Sequence, residues 1–155
     1  MTDTSTLDMA FAQTMATVVE TGTAPHYTEI AARLGEPPPV GRRIIADLMS
    51  AGVPGWVHPG TDYIASFPPF NIQPTQYRVT VDGEQRWYAQ CGFETLAIRW
   101  MFPGRTVRID APCLDCGEQL TVEMRDEETL AIEPETMVGY TRSPVGGSPD
   151  NRPFR

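Results

Sequence analysis

The sequence predicts an α+β fold, in which three short N-terminal helices precede a small antiparallel sheet with one helix. Two observations support this class. Apolar residues recur at helical spacing three times before residue 52. After residue 75, apolar and polar residues alternate in short segments, as in strands that bury one face. The chain has 155 residues, 41% of them hydrophobic, which is enough for one ordinary core.

The N-terminal helices are each bounded by residues that end helices, chiefly glycine and proline. We expect them over Leu7–Glu20, Thr28–Leu34 and Val40–Ala51. A short hairpin follows, formed by Trp56-Val57 and Tyr63-Ile64-Ala65. Three helices and a hairpin in this order indicate a winged helix-turn-helix-like domain, which we expect over residues 1–70.

The second half of the chain, over residues 71–140, is predicted to be an α+β domain on an antiparallel sheet. A proline-rich stretch, residues 67–74, is expected to link it to the first half. Asp82-Gly83 is a typical hairpin turn. The predicted strands are 77–81, 86–89, 106–111, 120–124 and 136–140, with one helix from Cys91 to Trp100. The tail, 141–155, contains three Pro and two Gly and is predicted to be disordered.

The charge of the chain argues against nucleic acid and anionic membranes as partners. The 20 acidic residues outnumber the 12 basic ones, all arginine, and the net charge is -8. Because residues 1–70 are themselves acidic, we favour a structural or dimerising role for the helix-turn-helix over DNA binding. Without lysine, Schiff-base chemistry is excluded. No membrane-length apolar run and no secretory signal pattern is present, so we expect a soluble cytoplasmic protein, with a homodimer left open.

Cys91 is the most informative residue for chemistry. It lies at the start of a predicted helix, where we expect the helix N-terminus to lower the pKa of the thiol. Glu94 follows three residues later and shares a helix face with it. The pair suits a nucleophile with a proton carrier, or two ligands of a soft metal. A structural cysteine with a capping glutamate is the alternative.

Cys113 and Cys116, followed by Gly117, resemble one knuckle of a zinc ribbon. Structural zinc needs four ligands, and the chain offers only Cys91, His26 and His58 in addition. The alternatives are a redox pair, a soft-metal clamp or two packed thiols. We expect His26 to be a surface or helix-cap residue and His58 to be solvated at the hairpin tip.

The segment Tyr88-Ala89-Gln90-Cys91-Gly92-Phe93-Glu94-Thr95-Leu96 resembles the active-site segment of the alkylmercury lyases, which runs Tyr-Ala-x-Cys-x-x-Asp-Thr-Leu. The similarity extends to Pro103–Ile109, to Cys113, to Leu120-Thr121-Val122 and to Ile132-Glu133-Pro134. The N-terminal helices also fit, because these lyases carry a helix-turn-helix-like domain that does not bind DNA. The resemblance covers roughly residues 8 to 140.

The resemblance implies protonolysis of a carbon–mercury bond in a small organometallic substrate. It makes Cys91 the first thiolate, Glu94 the proton carrier, and thiol-bound Hg(II) the product, with no cofactor required. Cys91, Cys113 and Cys116 are the predicted metal ligands, with zinc at the last two as a further option. The alternatives are a non-catalytic protein that binds or senses soft metals and, least favoured, a winged-helix regulator.

Two departures from the family pattern bear on this expectation. Glu94 stands where the family has Asp, so the carboxyl lies one methylene farther out. The family's second catalytic cysteine belongs to a segment beyond Arg155. Three interpretations follow: the chain is a fragment, Cys113 or Cys116 replaces the second thiol, or lyase activity is lost.

Overall fold

A computed structural model of the chain describes residues 1–139. Its helices are α1 (Thr4–Thr21), α2 (Tyr27–Leu34), α3 (Pro38–Ser50) and α4 (Gly92–Ile98), the last followed by a 3₁₀ turn, Arg99–Met101. Its strands are β1 (Trp56–Val57), β2 (Ile64–Phe67), β3 (Phe70–Asn71), β4 (Arg78–Val81), β5 (Glu84–Ala89), β6 (Thr106–Pro112), β7 (Gln119–Arg125) and β8 (Glu128–Glu133). The α+β class is confirmed, and the four predicted helices occur within a few residues of their expected bounds.

One antiparallel sheet contains all eight strands, in the order β1-β2-β3-β5-β4-β6-β7-β8. Strand β4 lies between β5 and β6 and is antiparallel to both, so that Arg78 is opposite Tyr88 on one side and Asp110 on the other. Strands β5 and β6 therefore run in the same direction and end at the same edge of the sheet. The residues that follow them, Cys91 and Cys113, emerge at that edge.

The sheet passes through the first part of the predicted proline-rich linker, residues 67–74. Strands β2 and β3 pair across a turn at residues 68–69, and β3 also pairs with β5. The reason is burial: Phe67 and Phe70 are almost fully inaccessible to solvent and belong to two adjoining cores. The domain boundary at residue 70 and the winged-helix assignment stay predictions.

Helix α1 is attached to the sheet by a buried hydrogen bond. The indole Nε1–H of Trp87 on β5 donates to the carbonyl oxygen of Val18 on α1, at 2.8 Å. Val18 and Trp87 both belong to the core between the helix and the sheet. The strand that leads into Cys91 is thereby held against the N-terminal helices.

The last strand differs from the prediction. Strand β8 covers residues 128–133, whereas the expected strand began at 136, and residues 134–139 are outside any strand. All six residues of β8 are exposed, so the strand pairs with β7 through its backbone without an alternating apolar pattern. Tyr140 and the predicted tail lie outside the described residues. No helix among residues 1–139 is both long enough and apolar enough to span a membrane.

Candidate functional site

The peptide before Cys91 is fixed by a buried glutamine. Gln90 is 5% exposed, and its side-chain amide donates to the carbonyl oxygen of Pro54 at 2.9 Å and to the hydroxyl of Ser66 at 3.0 Å. Its backbone N–H donates to the carbonyl oxygen of Pro69 at 3.1 Å. Gln90 is a positioning residue that the sequence analysis did not single out. The sequence signal that could have identified Gln90 is a polar side chain directly before the candidate cysteine, Cys91.

A second set of contacts holds the end of β5 and the start of α4 against residues 75–77, which precede β4. The hydroxyl of Thr75 donates to the carbonyl oxygen of Ala89 at 2.8 Å, and the Ala89 N–H donates to the carbonyl oxygen of Tyr77 at 3.0 Å. A Cβ on Gly92 would lie 3.3 Å from the Tyr77 ring, so the ring packs closely on this glycine. Cys91 therefore stands on a rigid junction between strand and helix.

Cys91 is the N-cap residue of α4 and is half-buried. Burial raises the pKa of its thiol, and the nearby Glu94 carboxylate raises this pKa further. The peptide N–H groups of Glu94 and Phe93 lower this pKa. The Cys91 side chain makes no capping hydrogen bond to the helix. The expectation of a lowered thiol pKa is therefore wrong, because desolvation outweighs the short helix. At neutral pH the thiol keeps its proton.

Glu94 lies beside Cys91, as its spacing predicted. Burial raises the pKa of its carboxyl from the ordinary 4.5 to about 6, while hydrogen bonds from the Cys91 thiol and backbone N–H limit the rise. Its Oε2 atom is buried and has no hydrogen-bond partner. A carboxyl with such a pKa and a free oxygen can take up and release a proton near neutral pH. The two side chains together hold one mobile proton.

An apolar surface lies on the same helix. Phe93, Leu96 and Trp100 are 69%, 42% and 60% exposed, at spacings that place them along one side of α4 and the turn after it. Exposed aromatic side chains close to the Cys91 thiol offer contacts for an organic group.

The other two cysteines form a separate pair in the loop between β6 and β7. Cys113 is half-buried, Cys116 is exposed, and their thiols are close enough to hydrogen-bond. No group of three or more His, Cys, Asp or Glu side chains among residues 1–139 is arranged to hold a metal ion. The described part of the chain therefore does not gather Cys91, Cys113 and Cys116 into one site.

The two histidines lie in the N-terminal half. His26 is the N-cap of α2, as expected, and its Nδ1 atom is 2.8 Å from the hydroxyl of Thr28. Its ring packs on those of Tyr27 and Tyr63. The backbone carbonyl of His58 accepts a hydrogen bond from the N–H of Thr61 within the β1–β2 connection. Neither histidine belongs to a metal-binding group within residues 1–139.

Comparison with known proteins adds independent findings. The family model for alkylmercury lyase matches residues 70–154. An alkylmercury lyase of Bacillus cereus is 38% identical over 68 residues, which cover 42% of this chain and 29% of the relative. One from Staphylococcus epidermidis is 40% identical over 70 residues, which cover 43% of this chain and 30% of the relative. The matched part of the chain thus spans less than a third of these relatives.

A solved structure, described as the mercury-bound form of MerB2, superimposes with a TM-score of 0.65 at 14% identity. The superposition covers 86% of this chain and 62% of the other. At this identity the likeness establishes a shared fold.

Proposed function

The chain belongs to the alkylmercury lyase family, and we propose that its Cys91–Glu94 pair breaks a carbon–mercury bond by protonolysis. The observation that carries this proposal is the half-buried thiol in contact with a carboxyl whose pKa is raised to about 6. The thiol supplies a soft ligand for mercury, and the carboxyl supplies the proton site that protonolysis needs.

The first step is capture of the organomercurial. The Cys91 sulfur forms a bond to mercury and displaces the anion that mercury carried, while the thiol proton moves to the Glu94 carboxylate. The buried site favours this transfer, because it converts a buried carboxylate and a neutral thiol into a neutral carboxylic acid and a metal-bound sulfur. The Oε2 atom of Glu94, which lacks a partner, is free to carry the proton.

The second step is cleavage. The electron pair of the carbon–mercury bond takes the proton of the Glu94 carboxyl, and the hydrocarbon leaves. Mercury stays on Cys91 as Hg(II), and Glu94 is again a carboxylate. No oxidation or reduction occurs. Donation from the thiolate weakens the carbon–mercury bond, and the exposed Phe93 beside Cys91 offers an apolar surface to the organic group.

A second sulfur ligand is needed to release Hg(II). Within residues 1–139 no third donor joins Cys91 and Glu94 in a metal-binding group. We therefore assign the second thiolate in an assay of this chain to a small-molecule thiol in solution. An assay of hydrocarbon release by this chain therefore includes an excess of a small-molecule thiol.

The N-terminal half serves as support for this site in our proposal. Arg42, on the helix that would read DNA, pairs with Asp62 at 3.0 Å, and its side chain donates to the hydroxyl of Tyr27. An arginine engaged in this way, in an acidic half-chain, favours a structural winged-helix-like unit over a DNA reader. The buried bond from Trp87 to Val18 supports the same role, because it connects this half to the strand before Cys91.

The test is hydrocarbon release. Purified protein is incubated with phenylmercuric acetate and excess glutathione, and benzene is measured by gas chromatography. We expect benzene above the thiol-only background, with loss of the excess in Cys91→Ser. The matched control is Cys116→Ser, which removes an exposed thiol outside the Cys91 site and keeps the activity. Benzene at background with the unaltered protein would refute the proposal.

A further inference from the structure

We propose that the Cys113–Cys116 loop is a second soft-metal site, separate from Cys91, which binds one Hg(II) ion through its two thiolates. The identity of the ion rests on the proposed function, since Hg(II) is the product of that reaction. Three features support this site: the hydrogen-bonded closure of the loop, its two thiol donors, and its position at the edge of the sheet where Cys91 also lies.

The loop that carries the two thiols is closed by backbone hydrogen bonds. The N–H of Cys113 donates to the carbonyl oxygen of Glu118 at 2.7 Å, and the N–H of Gly117 donates to the carbonyl oxygen of Cys113 at 2.9 Å. Gly117 has a φ of 77°, a left-handed conformation that a side chain would disfavour, so it allows the chain to turn back into β7. The thiols of Cys113 and Cys116 lie within hydrogen-bonding reach of each other.

The pair is accessible from solution. Cys116 is exposed, so a metal ion can reach the two thiols without entering the Cys91 site.

The number of donors selects the metal. Structural zinc takes four ligands, and within residues 1–139 no group of three donors includes this pair. Residues 140–155 contain neither cysteine nor histidine. Mercury(II) is a soft ion that two thiolates satisfy in a linear arrangement, so a bare pair of cysteines is a complete site for it.

The sheet places the pair at the same edge as the catalytic thiol. Cys91 follows β5 and Cys113 follows β6. Because β4 lies between these two strands, β5 and β6 are about 10 Å apart across the sheet. Mercury held by Cys91 and a glutathione thiolate can pass to the pair by thiol exchange. Two sulfur–mercury bonds break and two form, and the protons of Cys113 and Cys116 move to the departing thiolates.

The test measures retention of mercury against competing thiol. Cys91→Ser protein is loaded with mercuric chloride, incubated with excess glutathione, desalted and examined by native mass spectrometry. We expect one Hg(II) per chain, because the second thiol of a closed pair acts at an effective concentration of about millimolar or more. In Cys113→Ser/Cys116→Ser, with Cys91 intact, we expect retention to fall at least about 100-fold on the same grounds. Circular dichroism confirms that both variants are folded.

Three results would overturn the inference: loss of mercury from the Cys91→Ser protein, full retention by the double variant, or uptake of one zinc ion per two chains from zinc chloride. The last would indicate a four-cysteine site shared between copies. Failure of benzene release would refute the lyase proposal and leave this measurement unaffected, because the Cys91→Ser protein has no catalytic thiol.

Discussion

Replacing Glu94 by glutamine is expected to change two rates in opposite directions: alkylation of the Cys91 thiol becomes faster, and cleavage of the carbon–mercury bond becomes slower. The substitution removes the negative charge that raises the pKa of the Cys91 thiol, so a larger fraction of Cys91 is the thiolate that iodoacetamide alkylates. In the proposed mechanism it also removes the group that carries the proton to carbon, so we expect slower cleavage. If Glu94 had only a structural role, its replacement would lower the alkylation rate and the cleavage rate together.

The expected sizes of the two rate changes can be estimated. A unit charge about 4 Å from a thiolate costs it about 1 kcal/mol in water and about 4 kcal/mol at an effective dielectric of ~20. Because Cys91 is half-buried, solvent screening favours the lower figure, and 1 kcal/mol corresponds to about a fivefold rate change. Loss of a proton carrier lowers the cleavage rate by about 10²–10⁴-fold.

Both quantities are measurable on the same protein. Alkylation of Cys91 by iodoacetamide at neutral pH is followed by peptide mass spectrometry, and benzene release is followed by gas chromatography. Glu94→Asp is the charge-preserving control: it keeps the negative charge beside Cys91 and therefore the slow alkylation of the parent, and its lyase activity falls by at most about 10²-fold, the cost of displacing a reacting group by about 1 Å. Glu128→Gln, an exposed carboxylate on β8, controls for charge alone. Slower alkylation in Glu94→Gln, or unchanged benzene release, would refute the reasoning.

Three further predictions concern stability. Trp87→Phe loses the hydrogen bond to Val18 and part of a buried ring, and its free energy of unfolding in urea falls by about 1–3 kcal/mol; no change would contradict the role of this bond. In Gly41→Ala the new Cβ would lie 2.3 Å from a carbonyl oxygen of α2, so unfolding by urea becomes easier by about 1–3 kcal/mol, whereas Gly139→Ala, in open space, has almost no effect. Because folding raises the pKa of Glu94 to about 6, the folded state binds the proton more tightly and loses stability as the pH rises from about 4.5 through 6. Glu94→Gln should therefore be more stable than the parent at pH 8 and not at pH 4, and equal urea midpoints at both pH values would contradict this.

The elements with a strong local pattern were predictable from the sequence. The three N-terminal helices bury one face each, and Asp82-Gly83 has the positive φ angles that its hairpin turn requires. Strand β8 was not predictable, because all of its residues are exposed and only the backbone of β7 defines it. The strands that connect the two halves were not predictable either. They depend on burial of Phe67 and Phe70, and the proline-rich composition of this segment gives no sign of that burial.

The contact between Cys91 and Glu94 was predictable from the sequence, whereas the electrostatics of the two side chains were predictable only in part. The three-residue spacing correctly placed Glu94 beside Cys91. The direction of the Cys91 pKa shift was wrong, because burial depends on packing that helix position alone does not reveal. Gln90 was missed for the same reason: its partners, Pro54 and Ser66, are distant in sequence and meet it only in the folded sheet.

The most direct test of the account is a single-turnover experiment on Cys113→Ser/Cys116→Ser, in which Cys91 is the only thiol. The protein is loaded with one equivalent of phenylmercury, glutathione is added, and benzene is measured over time. The account predicts that this variant releases benzene as the parent does, and that adding Glu94→Gln slows the release at least about 100-fold. Benzene release by the parent but not by the double variant would contradict it, because cleavage would then depend on the Cys113–Cys116 pair rather than on Cys91 and Glu94.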